Sequence, residues 1–137
     1  MSQQEQAYEK AVALIDAANG ADPNQAADAD GNVWPKELLY SQRMTDMQQR
    51  YAPDADDVMK LAIRAQHIER WKSPRSDYPE GRQGYLKWRT DLYKFHADTT
   101  GRLMAEAGYP EDDIERQVAE ERRQDGPDLL DESAQLE

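Results

Sequence analysis

Two histidines are the side chains in this sequence best suited to bind a metal ion. They are His67 and His96, and the chain contains no cysteine. Thiolate nucleophiles and Cys-ligated metals are therefore excluded, and any metal must be held by His, Asp and Glu. A carboxylate follows each histidine, at Glu69 and Asp98. Neutral imidazoles on facing helices would suit Mn²⁺, Mg²⁺ or Zn²⁺, although a lone histidine on an apolar helix face is more often a hydrogen-bonded core residue.

A basic and aromatic stretch surrounds the two histidines. Between Arg64 and Leu103 there are nine basic and five acidic residues, which leaves a net charge of −15 on the rest of the chain. Guanidinium groups bind phosphate or carboxylate through paired hydrogen bonds, and they stack on indole rings. The candidate ligand-binding residues are Arg70, Trp71, Arg75, Arg82 and Arg89. Alternatively, these arginines clamp an irregular loop through its carbonyl groups, or the stretch pairs with the acidic remainder.

Composition narrows the class of protein. A chain of 137 residues is long enough for one domain, and its 17 basic and 28 acidic residues give a net charge of −11. This acidity argues against nucleic-acid binding. No segment has the roughly 18 apolar residues of a membrane span, and the N-terminus lacks the pattern of a secretory signal. We therefore expect a cytoplasmic protein that does not bind membranes, with its oligomeric state left open.

The spacing of apolar residues predicts an all-α fold, a single bundle of about five helices. The predicted helices cover about residues 4–18, 34–51, 54–71, 85–107 and 110–123. In the second helix, the predicted buried stripe consists of Leu39, Tyr40, Met44, Met47 and Tyr51. Residues 21–33 are predicted to be a loop with a turn at Asp28. Residues 72–84 are predicted to be an irregular loop that packs against the bundle.

The predicted helical domain covers residues 1–124, and residues 125–137 form an acidic C-terminal segment. That segment has the apolar spacing of a helix at Leu129, Leu130, Ala134 and Leu136, but no terminating signal follows before Glu137. We therefore expect a sixth helix that is short or frayed, or truncated relative to a longer functional form. An extended chain would then be more stable, because short helices are marginal on their own.

Several motifs resemble one uncharacterised family. They are residues 15–19, Ala65-Gln66-His67-Ile68-Glu69-Arg70-Trp71 with Pro74-Arg75, Tyr78-Pro79, Gly84-Tyr85-Leu86-Lys87-Trp88-Arg89 and Phe95-His96-Ala97. In these motifs the chain resembles domain of unknown function 4202 over essentially its whole length. The resemblance implies an all-helical domain, and the family has no settled activity.

The family is distantly similar to the HD-type metal-dependent phosphohydrolases, which bind divalent metal through a His, a later His-Asp pair and a distant Asp. By this similarity His67 would match the first ligand and His96 the second, whereas Ala97 replaces the paired Asp. The similarity implies a metal-dependent phosphohydrolase-like protein that binds a small phosphorylated ligand. The alternative is a non-catalytic helical binding module for an anionic ligand or a protein partner. No catalytic residue is identified, and whether the protein is an enzyme stays open.

Overall fold

The computed structural model describes residues 2–122, which form a helical bundle with one small hairpin. The helices are α1 (Gln3–Gly20), α2 (Lys36–Tyr51), α3 (Asp57–Arg64), α4 (Arg82–Ala107) and α5, described over residues 111–122. Strand β1 (Gln25–Ala27) pairs antiparallel with β2 (Val33–Pro35), and 3₁₀ turns cover Arg70–Lys72 and Arg75–Asp77. The all-α prediction is confirmed. The predicted sixth helix lies outside the described residues.

The main hydrophobic core lies where α1, α3 and α4 meet. Its buried members are Ala11, Ile15, Val58, Leu61, Ala65, Ile68, Leu103, Met104 and Ala107. Ile15, Leu61 and Ile68 are completely buried, as the helical spacing predicted. Each such side chain contributes roughly 1.5–3 kcal/mol relative to exposure in water. No helix within residues 2–122 is both long enough and apolar enough to cross a membrane.

Helix α3 is shorter than the sequence predicted, both at its start and at its end. It begins at Asp57 rather than near residue 54, and its N-cap is Asp56, whose carboxylate accepts a 2.9 Å hydrogen bond from the backbone N–H of Met59. The helix ends at Arg64 rather than near residue 71. Glu69 then has a positive φ of 52°, and its N–H donates to the buried Asn19 side chain of α1 at 3.1 Å. This contact between distant segments supports the change of chain direction.

The predicted loop of residues 21–33 instead contributes to a hairpin, which β1 and β2 form over residues 25–35. The Asp28 carboxylate accepts 2.9 Å hydrogen bonds from the N–H groups of Asp30 and Asn32 and from the indole of Trp34. These bonds lower the pKa of Asp28, with the indole bond as the largest cause. The predicted turn is therefore present, and it closes the β1–β2 pair. At the entry to α2, the Asp22 carboxylate accepts from the N–H of Glu37 at 2.8 Å.

The predicted buried stripe of α2 is wrong for its second half. Met47 is 50% exposed and Tyr51 is 77% exposed. The helix instead buries three polar side chains, those of Glu37, Ser41 and Gln48. Ser41 donates to a backbone carbonyl at 2.8 Å, and so does Gln48, so local partners satisfy these buried polar groups.

Candidate functional site

The two histidines lie side by side. His67 follows α3 in the turn that leads to the first 3₁₀ turn, and His96 lies within α4. Their ring centroids are 6.1 Å apart, with an angle of 27° between the ring planes. The turn after α3 thus lies beside α4 and brings the two imidazoles together. Their role as metal ligands stays a prediction, since among residues 2–122 no three His, Asp or Glu side chains are grouped as a metal site.

Three side chains surround the His67 ring. Tyr40 of α2 stacks on it with centroids 3.9 Å apart and an angle of 4° between the planes. Glu37 Oε1 lies 3.6 Å from Nδ1, and Arg70 Nη1 lies 3.3 Å from Nδ1 and 3.2 Å from Nε2. The guanidinium is thus almost equally close to both ring nitrogens of His67. The orientation of His67 is therefore set by α2 and by the 3₁₀ turn.

His96 is held in its neutral form. The residue is only 2% exposed, and burial lowers its pKa well below the ordinary value. The nearby charges of His67, Arg70 and Arg89 lower that pKa further. Within the described residues, His96 Nε2 is buried without a hydrogen-bond partner. A neutral imidazole with an unused nitrogen can donate or accept a proton, or coordinate an ion.

A cavity of about 450 Å³ opens beside His67. Its lining consists of Ala26, Lys36, Glu37, Leu39, Tyr40, Arg43, His67 and Arg70. The volume lies within the roughly 300–1,000 Å³ typical of small-molecule sites. Three of the lining side chains are basic, namely Lys36, Arg43 and Arg70, and one, Glu37, is acidic. The cavity is therefore a basic pocket in a chain whose net charge is −11.

Arg70 is the predicted ligand-binding residue that reaches this cavity. Its guanidinium carbon lies 5.4 Å from the ring centroid of Trp88, which is consistent with a cation–π contact. Trp88 is itself anchored, because its indole donates to the carbonyl of Ser73 at 2.8 Å. The arginine is thus positioned between a fixed aromatic ring and His67.

Arg75 does not line the cavity. It clamps an irregular loop through backbone carbonyl groups, which the sequence analysis gave as the alternative to ligand binding. Its Nη1 donates to the carbonyls of Pro79 at 2.8 Å and Tyr78 at 3.3 Å, and its Nη2 donates to Gly81 at 3.4 Å. Tyr78 in turn donates to the Asp91 carboxylate of α4 at 2.8 Å. Residues 72–84 therefore pack against α4, as predicted, and Arg75 clamps them from within.

The remaining predicted ligand-binding residues lie outside the cavity lining. Trp71 is half-buried in the first 3₁₀ turn, Arg82 is exposed at the start of α4, and Arg89 is buried further along α4. Sequence reasoning missed the contribution of α2, namely Lys36, Glu37, Tyr40 and Arg43. The signal that could have found them was the helical spacing of a lysine, a tyrosine and an arginine along one edge of α2.

Comparison with protein families matches residues 9–136 to a family described as Domain of unknown function (DUF4202). The chain belongs to this family. The resemblance noted in the central motifs is therefore confirmed over nearly the whole chain. No curated protein and no solved structure matches the chain. Family membership assigns no chemistry, so function must be argued from the His67 cavity, and the similarity to HD-type phosphohydrolases stays a hypothesis.

Proposed function

We propose that the cavity beside His67 binds a small phosphorylated ligand. The observation that supports this most directly is the convergence of Lys36, Arg43 and Arg70 on one cavity. Grouped cations repel one another, and a bound anion offsets that repulsion. A phosphate monoester carries about −1.5 to −2 charges and three acceptor oxygens, which suits two guanidinium groups and one ammonium group.

The contacts of these three cations within the described residues also favour the binding of an external anion. In the part of the chain that the structure describes, neither Lys36 nor Arg43 forms an ion pair with a carboxylate. This is notable in a chain with 28 acidic residues. Arg70 contacts an imidazole and an indole, neither of which is an anion. All three side chains can therefore donate hydrogen bonds to a ligand.

Glu37 does not argue against an anionic ligand. The residue is only 7% exposed, and Oε1 lies 3.6 Å from His67 Nδ1. Its carboxylate therefore lies beside the imidazole and is largely shielded from solvent. His67 also lines the cavity, so its ring can contact a bound ligand.

The test is a titration of the full chain with inorganic phosphate and with a phosphate monoester such as phenyl phosphate, followed by NMR or calorimetry. We expect Arg43→Ala to weaken binding by about tenfold or more, because hydrogen bonds to charged groups contribute about 1.5–3 kcal/mol. The matched control is Arg50→Ala, an exposed arginine of α2 that does not line the cavity. Absence of phosphate binding, or equal losses in both variants, would refute the proposal.

A second candidate function is metal-dependent hydrolysis of a phosphate ester. It is supported by the 6.1 Å separation of the His67 and His96 rings and by their match to ligands of the HD-type enzymes. Metal analysis after purification without chelator, and phosphatase assays with Mn²⁺, Mg²⁺ or Zn²⁺, test it with His67→Gln as the variant. Phosphate binding without metal or turnover would favour a non-catalytic binding module.

A further inference from the structure

Trp34 exposes part of its indole ring on the β1–β2 hairpin. The residue is 37% exposed. Its indole N–H donates to the Asp28 carboxylate at 2.9 Å, so the ring is held in one orientation while part of its surface stays open to solvent. Single exposed apolar residues are common on protein surfaces, so what matters for Trp34 is which part of the molecule lies beside it.

The face of the hairpin that carries Trp34 is the face turned toward the His67 cavity. Ala26 and Trp34 are directly opposite each other in the strand register, so their side chains lie on the same face. Asp28, two residues after Ala26, shares this face, because its carboxylate meets the indole. Ala26 lines the cavity and is partly buried, whereas both of its neighbours in β1 are exposed. The opposite face carries Val33, which is 63% exposed.

The hairpin is also tied to the cationic side of the same cavity. The backbone N–H of Lys36, the first residue of α2, donates to the carbonyl of Asn24 at 2.9 Å. Lys36 lines the cavity and follows Trp34 by two residues. Directly opposed side chains of an antiparallel pair have Cβ atoms about 4.5–5.5 Å apart, so the Trp34 side chain starts within one side-chain length of the lining at Ala26. The indole therefore lies at the rim of the cavity.

We propose that the phosphorylated ligand of the cavity carries an aromatic ring, which stacks on Trp34 while the phosphate binds the cations of the cavity. This inference rests on the function proposed for the cavity. Aromatic pairs gain free energy beyond the burial of apolar area, and an indole held by its own hydrogen bond loses little conformational freedom when a ring stacks on it. An aliphatic group of the same size gains only the burial. Trp34 is therefore the residue that selects aromatic over aliphatic phosphate esters.

The charges on the two sides of the rim determine the orientation of the ligand. The Asp28 carboxylate lies at the edge of the Trp34 ring, and it is ionised at neutral pH. Its negative charge repels a phosphate group from the ring. The cations Lys36, Arg43 and Arg70 attract the phosphate into the cavity instead. The end of the ligand that meets Trp34 is therefore an uncharged or cationic ring.

Calorimetric titration of the full chain with matched pairs of phosphate esters tests the proposal. The first pair is phenyl phosphate and cyclohexyl phosphate, which have the same charge and nearly the same size but differ in aromaticity. The second pair is adenosine 5′-monophosphate and ribose 5-phosphate, which tests a ring that lies farther from the phosphate. We expect the aromatic member of at least one pair to bind about fivefold more tightly than its partner.

Variants of the hairpin assign this preference to Trp34. Trp34→Leu should abolish the preference for the aromatic ester and leave the affinity for inorganic phosphate unchanged. Trp34→Phe, which keeps a ring, should retain most of the preference. The matched control is Val33→Ala, an exposed residue on the opposite face of the same hairpin, and it should change neither affinity. Arg43→Ala should weaken the binding of all the esters alike.

The outcomes separate this inference from the function on which it rests. If inorganic phosphate binds but neither aromatic ester is preferred, or if the preference persists in Trp34→Leu, the aromatic ligand is refuted and the cavity function stands. Equal losses of the preference in Trp34→Leu and Val33→Ala would also refute it, because the hairpin as a whole and not the ring would then be responsible. If no phosphate compound binds, both proposals fail.

Discussion

Arg64 joins three helices, and its replacement should destabilise the bundle measurably. Its Nε and Nη2 donate to the two Asp16 carboxylate oxygens of α1 at 2.8 and 2.7 Å. Its Nη1 donates to the hydroxyl of Thr45 in α2 at 3.1 Å. The side chain of Arg64 is 11% exposed and that of Asp16 is 29% exposed. Both partners therefore lie largely out of water, in paired geometry.

We expect Arg64→Met to lower the free energy of unfolding by about 2 kcal/mol. Hydrogen bonds to charged groups contribute about 1.5–3 kcal/mol, and the partial exposure of Asp16 places the expected value toward the lower end. Methionine keeps much of the aliphatic stem, so packing changes little. For a chain of this length the melting temperature should fall by about 6 °C. Urea unfolding monitored by circular dichroism measures the free energy of unfolding, and we expect the m-value to stay unchanged.

The matched control is Arg116→Met. Arg116 donates to Asp56 at the comparable distance of 2.9 Å, but the two side chains are 56% and 55% exposed. Exposed ion pairs contribute about 0–1 kcal/mol, so we expect a loss of about 0.5 kcal/mol or less. Equal losses in the two variants would refute the reasoning, because burial and paired geometry would then make no difference. A double-mutant cycle with Asp16→Asn isolates the coupling energy.

Three other perturbations test the loop, the site and the core. Gly84→Ala places a methyl group against the carbonyl oxygen of Pro79, so we expect a loss of about 3 kcal/mol, whereas Gly20→Ala meets nothing within 4 Å and should be tolerated. Similar urea unfolding midpoints for the two glycine variants would contradict the close approach of Gly84 to the Pro79 carbonyl. Because the pKa of His96 lies well below its ordinary value of 6.5, the unfolded chain binds a proton that the folded chain does not, and stability falls as the pH decreases below 6.5. His96→Phe should reduce this loss of stability between about pH 7 and pH 5. If the stability of the variant and that of the unmodified chain change in parallel with pH, a buried neutral imidazole is refuted. Burial raises the pKa of Tyr109 to about 12, so stability should fall as the pH rises above the ordinary value of 10.0. Tyr109→Phe should remove that loss of stability at high pH. An ultraviolet titration in which Tyr109 ionises at the ordinary pKa would disprove the prediction.

The helices and the main core follow from local pattern. Ile15 in α1 and Leu61 in α3 lie at helical spacing from other apolar residues, and both are completely buried. Gly108 ends α4 with a φ of 106°, in the left-handed region that glycine enters readily. These features depend on contacts within a few residues or on one amphipathic face. They can therefore be predicted from the sequence without knowing what the helix packs against.

The buried face of α2 could not be predicted from the sequence in the same way. Its apolar residues extend to Met47 and Tyr51, but the core accepts Ser41 and Gln48 because each finds a nearby carbonyl. The rule that apolar residues lie inside works in one direction only, since much of any protein surface is apolar. The end of α3 was also missed, because Glu69 donates to Asn19, a partner far away in the chain.

For the candidate site, the kinds of side chain could be predicted from the sequence, whereas their grouping depends on the packing of distant segments. The two histidines could be selected because they are the only two imidazoles in the sequence, and Arg70 because it lies three residues after one of them in the basic and aromatic stretch. That Lys36 and Arg43 line the same cavity as His67 depends on how α2 packs beside α3. That Arg75 binds loop carbonyls instead depends on the path of residues 72–84. Both outcomes are set by contacts between segments distant in sequence, which helical periodicity does not encode.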